Sequence, residues 1–432
     1  MRKYLFLLLW AYLVSSSVAF ADTVVPTNEV TARVVVRAGA NSATAEVGSL
    51  RPGERAELLG SVPGWHRVRL ASGTEGFVSK RWTKVVSSGP APAAALPSYT
   101  MDVVDVGTGL GILVRGPDFT IVYDAGSNDD EATGDKNRMV AYIKAVAPSV
   151  TTIDHIILSH PHNDHVSLMA DVFKQYQVRQ VWDSGALNDM CTYHAFLVAV
   201  RDEPGVEYHT AANGPGQHDA TFAAHACSET VHLTLGTIIS TGEAVHLGQG
   251  ASMTFLHADG EVHSDKNFNR NSLVVRLDLG GTRVLLMGDA PAGDRQAPST
   301  APSADSIEKT LLTCCVADLA AKVLVVGHHG SMTSSRRAFL DAVGASIFIV
   351  SAGPKAYGNN NVVLPDQAVI AELNSRHGKI LRTDGDGNDD PCKTNPAKIG
   401  PDADGKAGGC DNIRVTISPS GEVEGKVWRG SD

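Results

Sequence analysis

Seven consecutive residues, Ser159-His160-Pro161-His162-Asn163-Asp164-His165, constrain this chain more than any other stretch. They follow directly on the apolar run Ile156-Ile157-Leu158, which reads as a strand. Imidazoles and a carboxylate crowded into one turn suit a borderline-soft divalent cation such as zinc. His160 and His162, two apart in the turn, can face one metal. Asp164 and His165 are adjacent and diverge at the start of a helix, which favours a second metal beside the first.

Three other stretches are placed to complete such a centre. Leu285-Leu286-Met287-Gly288-Asp289-Ala290 sets a carboxylate at the end of an apolar strand, and a carboxylate there can bridge two cations about 3.5–4 Å apart. Val326-Gly327-His328-His329-Gly330-Ser331 again puts histidines straight after an apolar strand, between glycines that permit close approach. Asp124, ending the strand Thr120 to Ala125, suits a partner that orients a ligand histidine.

Around these motifs the chain reads as an exported, multi-domain protein. Arg2 and Lys3, the apolar run Tyr4 to Val14 and Ala19-Phe20-Ala21 form a signal-peptide pattern over residues 1–21, too short for a comfortable membrane span. Export makes disulfides the expected state of the six cysteines, which allow 15 connectivities. Cys392 with Cys410 is the most plausible pair and Cys191 with Cys227 the next. The neighbours Cys314 and Cys315 are not expected to bond to each other. A net charge of −10 argues against broad, sequence-independent nucleic-acid binding, which needs a basic footprint.

Residues 28–86 are β-rich, with the half-buried alternation of Trp65-His66-Arg67-Val68-Arg69-Leu70 at their centre. Val35-Val36-Arg37-Ala38-Gly39, "PGWHRVRL" and "EGFVSKRW" make this segment similar to a bacterial SH3-like domain. That resemblance implies a small all-β barrel that binds cell-wall peptide or peptidoglycan, with Trp65 and Trp82 as candidate groove residues. Residues 87–98, rich in Pro, Ala and Ser, form a spacer. From 99 to 432 strands and helices interleave as two β-rich halves, each carrying helices, which indicates an α/β sandwich of mixed sheets. Residues 188–245 show too little periodicity to assign. The acidic runs Asp384 to Asp390 and Asp402 to Gly405 read as solvated loop rather than a calcium site, and Ile413 to Trp428 as a closing hairpin.

The order HxHxDH, strand-Gly-Asp, strand-GHHGS resembles that of the metallo-β-lactamase superfamily. "VGHHGS", "NSLVVRLDLGG" and "LLMGDA" are most similar to the soluble hydrolase domain of ComEC-type DNA-uptake proteins. The resemblance implies an αββα sandwich and two divalent ions, zinc in the first place and manganese as the alternative. It places His160 and His162 on the first metal, Asp164 and His165 on the second, and Asp289 between them. His328 is assigned to the second metal. His329, with Asp164, is assigned a catalytic role, as a phosphate contact or proton donor. The superfamily's third histidine for the first metal is missing, because Asn269-Arg270-Asn271-Ser272 occupies its turn; His263 is the nearest substitute and His257 the next. Leu364 stands where ComEC-type domains carry a histidine after Tyr357-Gly358.

The expectation is an exported two-metal hydrolase, a phosphodiesterase acting on DNA or an envelope phosphodiester polymer. A lactone or β-lactam hydrolase is the alternative enzyme, and a non-catalytic cell-wall-binding protein the alternative from another class.

Overall fold

The computed structural model describes residues 22–86, 98–212, 216–357, 361–384 and 411–428. The signal segment, nearly all of the spacer, Cys392, Cys410 and the acidic runs beyond Asp384 lie outside the described residues. The chain divides into two compact units between residues 95 and 96.

The first unit is one antiparallel seven-stranded sheet. In strand Trp65–Arg69, His66 and Val68 point inward while Arg67 and Arg69 face solvent, as the alternation requires. Val24, Val34, Val36, Leu50, Ala56, Val68 and Val78 bury together as its core. The structure adds the strand Thr23–Pro26, which pairs with both Ala56–Val62 and Thr83–Val86. Four residues beside a signal pattern carry too little periodicity to be recognised beforehand.

The second unit is a four-layer sandwich. Its first sheet has ten strands. Thr120–Ala125, Thr152–Leu158, Gln177–Asp183 and Glu207–Thr210 run parallel at its centre. Its second sheet has seven strands, with Thr282–Leu286, Val323–Val325, Ile347–Val350 and Lys379–Arg382 parallel. Such strands are covered on both faces, so they read as continuous apolar runs rather than alternating ones. Within Thr152–Leu158, Ile157 joins the core between the sheets, whereas Ile156 and Leu158 pack under the helices Arg138–Val146, Met169–Gln175 and Cys191–Asp202. In the other sheet Leu286 and Val325 turn inward, while Leu285, Met287, Leu324 and Val326 meet the helices Ile307–Cys314, Arg337–Val343 and Gln367–Asn374. The sandwich is the expected fold class, and it brings the strand ends after Leu158, Leu286 and Val325 to one edge.

Two expectations need correction. The stretch 188–245 is ordered where described: it holds the helix Cys191–Asp202 and the hairpin Gly216–Phe222 with Glu229–Ile238, an edge of the first sheet. That hairpin buries one face, with Ala220, Phe222, Val231, Leu233 and Leu235 inward; its second strand alternates apolar and polar residues, and only the polar first strand lacks that contrast. The expected closing hairpin forms as Ile413–Ile417 with Val423–Val427, and it pairs with Tyr99–Val103 to finish the same sheet at its other edge. Among the cysteines, Cys191 joins Cys227 with S–S 2.05 Å. Cys314 joins Cys315, against expectation. The helix ends at Cys314 and Cys315 leaves it at φ −149° and ψ 37°, which turns both sulfurs to one side.

Candidate metal centre

His160 and its neighbours begin where the strand Thr152–Leu158 stops, and a single helical turn, Asn163–Val166, carries Asp164 and His165 back under them. Asp289 enters from the end of the Thr282–Leu286 strand. Gly288 precedes it at φ 52°, and a Cβ there would stand 2.8 Å from the Ser159 Cβ, so a side chain would push the two strand ends apart. His328 and His329 follow the Val323–Val325 strand, both at φ 52° in the left-handed region. Asp124 shares that conformation at φ 54°. Non-glycine residues hold this backbone only where surrounding structure fixes them, and three of them converging on one edge mark a site.

The ligand atoms gather in two groups. Asp164, His165, Asp289 and His329 form one, and His160, His162 and Asp289 the other, each with all its donor atoms within 4.8 Å of one another. In the first, Asp289 Oδ1 lies 3.2 Å from His165 Nε2 and 3.5 Å from His329 Nε2. Asp164 Oδ2 is 3.4 Å from His329 Nε2, and the two imidazole Nε2 atoms are 3.3 Å apart. In the second, His160 Nε2 is 3.0 Å from His162 Nδ1 and 3.8 Å from Asp289 Oδ2. Asp289 therefore shows one oxygen to each group.

The outward nitrogens are tied down, which aims the inward ones. Asp124 Oδ2 takes His165 Nδ1 at 2.8 Å and also accepts from the Ser159 hydroxyl at 2.7 Å. Asp124 thus occupies the orienting place proposed for it from its strand-end position. His329 Nδ1 donates to the Ser351 carbonyl at 2.8 Å, and Ser159 Oγ lies 3.0 Å from His160 Nδ1.

Burial works against every charge here, yet the charges hold one another. Asp289 sits well below the carboxylate range because His165, His329 and His328 surround it, and His165 is held well above its usual value by Asp289 and Asp124. Burial pulls His160 well down. The donor set fits divalent metal: carboxylates and imidazole nitrogens are buried together facing shared points, and Asn269 Oδ1 beside them is buried without a hydrogen-bond donor, an arrangement costly unless a cation completes it.

Two expected placements change. The structure groups His329, rather than His328, with Asp164, His165 and Asp289. His329 Nδ1 is spent on the Ser351 carbonyl, so its Nε2 is the atom aimed at them. His263 is not brought to the cluster: its Nε2 pairs with Asp259 Oδ2 at 2.8 Å. His257, the second substitute, spends Nδ1 on the Ser272 carbonyl at 2.8 Å and joins neither group.

A cavity of about 390 Å³ opens over both groups, lined among others by Asn269, Arg295, Thr333, Tyr357 and Leu364. Arg295 donates to Ser331 Oγ at 3.2 Å and to Asp366 Oδ1 at 2.6 Å. The Tyr357 ring stacks on His329 at 5.4 Å between centroids. Arg295 and Thr333 escaped sequence reading, because nothing in their local pattern separates them from ordinary loop residues; the fold alone brings them here. Leu364 lies buried in the wall, an apolar surface where the resemblance called for a histidine.

Comparison with known proteins agrees with this architecture. The "Metallo-beta-lactamase superfamily" profile matches residues 104–353 and the "Bacterial SH3 domain" profile residues 32–84. The "Competence protein ComA" of Neisseria gonorrhoeae is 27% identical over 310 residues, 72% of this chain and 33% of that protein. The "Recombination protein 2" of Haemophilus influenzae is 24% identical over 257 residues, covering 60% of this chain and 24% of its own length. The chain thus spans a quarter to a third of the curated relatives it matches. Among solved structures, the metallo-β-lactamase fold protein YhfI of Bacillus subtilis aligns at TM-score 0.37 and 12% identity, over 66% of this chain and 95% of that one. With its profile matched over more than half the sequence, this chain belongs to the metallo-β-lactamase superfamily and carries a bacterial SH3 domain ahead of that fold.

Proposed function

We propose that the chain is an exported two-metal phosphodiesterase, held near the cell wall by its SH3 domain and acting on DNA or an envelope phosphodiester polymer. The observation that carries this is the bridging geometry of Asp289, whose two oxygens face two separate sets of imidazoles. Bound there, two divalent ions, zinc or manganese, would acidify a water and offset charge on the attacked centre and leaving oxygen. His165 and His329 would hold one ion with Asp164, and His160 and His162 the other. Asp164 also stands at the cavity wall, placed to orient the attacking water and accept its proton. Arg295 supplies a fixed cation on the same wall, and a phosphodiester bears the anionic charge that such a guanidinium recognises. Tyr357, its phenol held well above the usual range by burial and by Asp164 and Asp289, stays protonated and can donate to a substrate oxygen.

The nucleic-acid reading is supported by the names of the relatives, which concern recombination and competence. The cell-wall reading rests on the SH3 domain, where Trp65 and Trp82 line one groove with Arg33 and Arg37. Among the described residues no helix is long and apolar enough to cross a membrane.

Hydrolysis of bis-p-nitrophenyl phosphate, a simple lactone and nitrocefin by the metal-loaded chain decides between bond types. Phosphodiester cleavage that disappears in Asp164→Ala is the expected result. Cleavage of nitrocefin or lactone alone would give the site to another bond.

A further inference from the structure

The group facing Asp289 Oδ2 is one ligand short: among the described residues His160 and His162 gain no third histidine from His257 or His263. The missing ligand has a candidate in the turn that follows the strand Val323–Val325. His328 stands beside His329, but because both lie in the left-handed region the two imidazoles splay, their centroids 6.3 Å apart and their planes at 64°. His329 turns to Asp289 Oδ1. His328 turns to the other oxygen, with Nε2 3.6 Å from Asp289 Oδ2, the same atom that His160 Nε2 approaches at 3.8 Å.

The surroundings of His328 suit a ligand. Thr333 Oγ1 stands 2.6 Å from His328 Nδ1 and 2.9 Å from Ser331 Oγ, and with its proton on Ser331 it offers Nδ1 a lone pair. In that arrangement Nδ1 carries the hydrogen and Nε2 is bare. Asn269 Nδ2 donates to that bare Nε2 at 3.2 Å, which marks an available lone pair facing the centre.

We infer that His328 supplies the third protein nitrogen of the first metal, so that the adjacent histidines of one turn serve the two metals separately, with Thr333 as the residue that positions His328. The metal would displace the Asn269 amide hydrogen from Nε2. Asn269 is the rival ligand through its buried, donorless Oδ1, and the two can be told apart. This inference rests on the two-metal reading above and deepens it.

The test is metal content by mass spectrometry, with calorimetric zinc titration of the full chain. Wild type should hold two ions per chain, His328→Ala one, and Asn269→Ala two. Thr333→Val keeps the imidazole but removes the acceptor for Nδ1, and should weaken the first site roughly 10- to 100-fold while leaving the second unchanged. It also serves if His328→Ala does not fold. Two tightly held ions in His328→Ala overturn the inference, as does loss of one ion in Asn269→Ala alone, or wild-type affinity in Thr333→Val. Fewer than two ions in the wild-type chain would instead remove the two-metal reading itself.

Discussion

The two sides of Asp289 are built to different standards. Facing Oδ1, His165 and His329 are each locked from behind by a strong acceptor, the Asp124 carboxylate for one and the Ser351 carbonyl for the other. Facing Oδ2, His160 and His328 are held only by hydroxyls, those of Ser159 and Thr333. A carboxylate or carbonyl behind an imidazole raises its basicity and fixes its ring more firmly than a hydroxyl does. Of these four rings His165 and His160 are fully buried and His329 is 2% exposed, whereas His328 is 20% exposed. The difference teaches that the cavity reaches both groups, through the Asp164 carboxylate on the Oδ1 side and through the His162 and His328 imidazoles on the other.

Removing the shared carboxylate should erase the distinction. Asp289→Ala leaves both imidazole sets without their common anion, and the expected result is loss of both ions with at least a ~1,000-fold fall in phosphodiester hydrolysis, since both charge stabilisation and water activation depend on them. Retention of one tightly held ion would show that the sides are independent. Asp124→Asn should separate them. Its amide cannot serve His165 as a carboxylate does, so zinc at the Oδ1 side should weaken about 10- to 100-fold with the other site unaffected. Equal weakening of both, in a competition titration, would mean that Asp124 supports the edge as a whole through Ser159.

The asymmetry also explains what the sequence could reveal. Every candidate ligand that the structure gathers from a contiguous motif was legible as a candidate, because a strand that ends in a fixed spacing of imidazole and carboxylate dictates local geometry by itself. His160, His162, Asp164, His165 and Asp289 belong to this class, and so does the sandwich, whose doubly covered strands read as unbroken apolar runs. The division of labour within His328–His329 was not legible. It depends on two left-handed backbone conformations and on what stands behind each ring, Ser351 from one loop and Thr333 from another. Arg295 was invisible for a similar reason: its role comes only from where its chain passes.

Arg295 probes the cavity directly. Arg295→Ala removes the guanidinium over the cavity without touching any ligand atom, so metal content should stay unchanged while KM for bis-p-nitrophenyl phosphate rises about 10-fold, with a smaller effect on kcat. That split is the mark of binding lost equally from substrate and transition state. An unchanged KM would assign Arg295 to anchoring Asp366 and Ser331, to which it also donates.

The smallest effect on the centre should come from the anchor behind the histidine turn. Glu308 is 1% exposed and accepts from the backbone amides of Ser335 and Arg336, where the chain leaves the turn and starts the helix Arg337–Val343. Burial pushes its pKa from 4.5 up to about 8, although the two amides and Arg336 oppose the rise. Between those two values the folded chain holds a proton that the unfolded chain has released. The stability this group contributes is therefore complete below the ordinary glutamate pKa, and declines as pH rises through 8. Each unit of difference corresponds to about 1.4 kcal/mol. Glu308→Gln, which keeps an oxygen for the amides but cannot ionise, should flatten the loss of stability between pH 5 and 8.5 in denaturant unfolding. Because the turn feeds both sides of Asp289, any change in metal affinity should fall on the two sites alike. A change confined to the Oδ2 side would show that the anchor acts through Thr333.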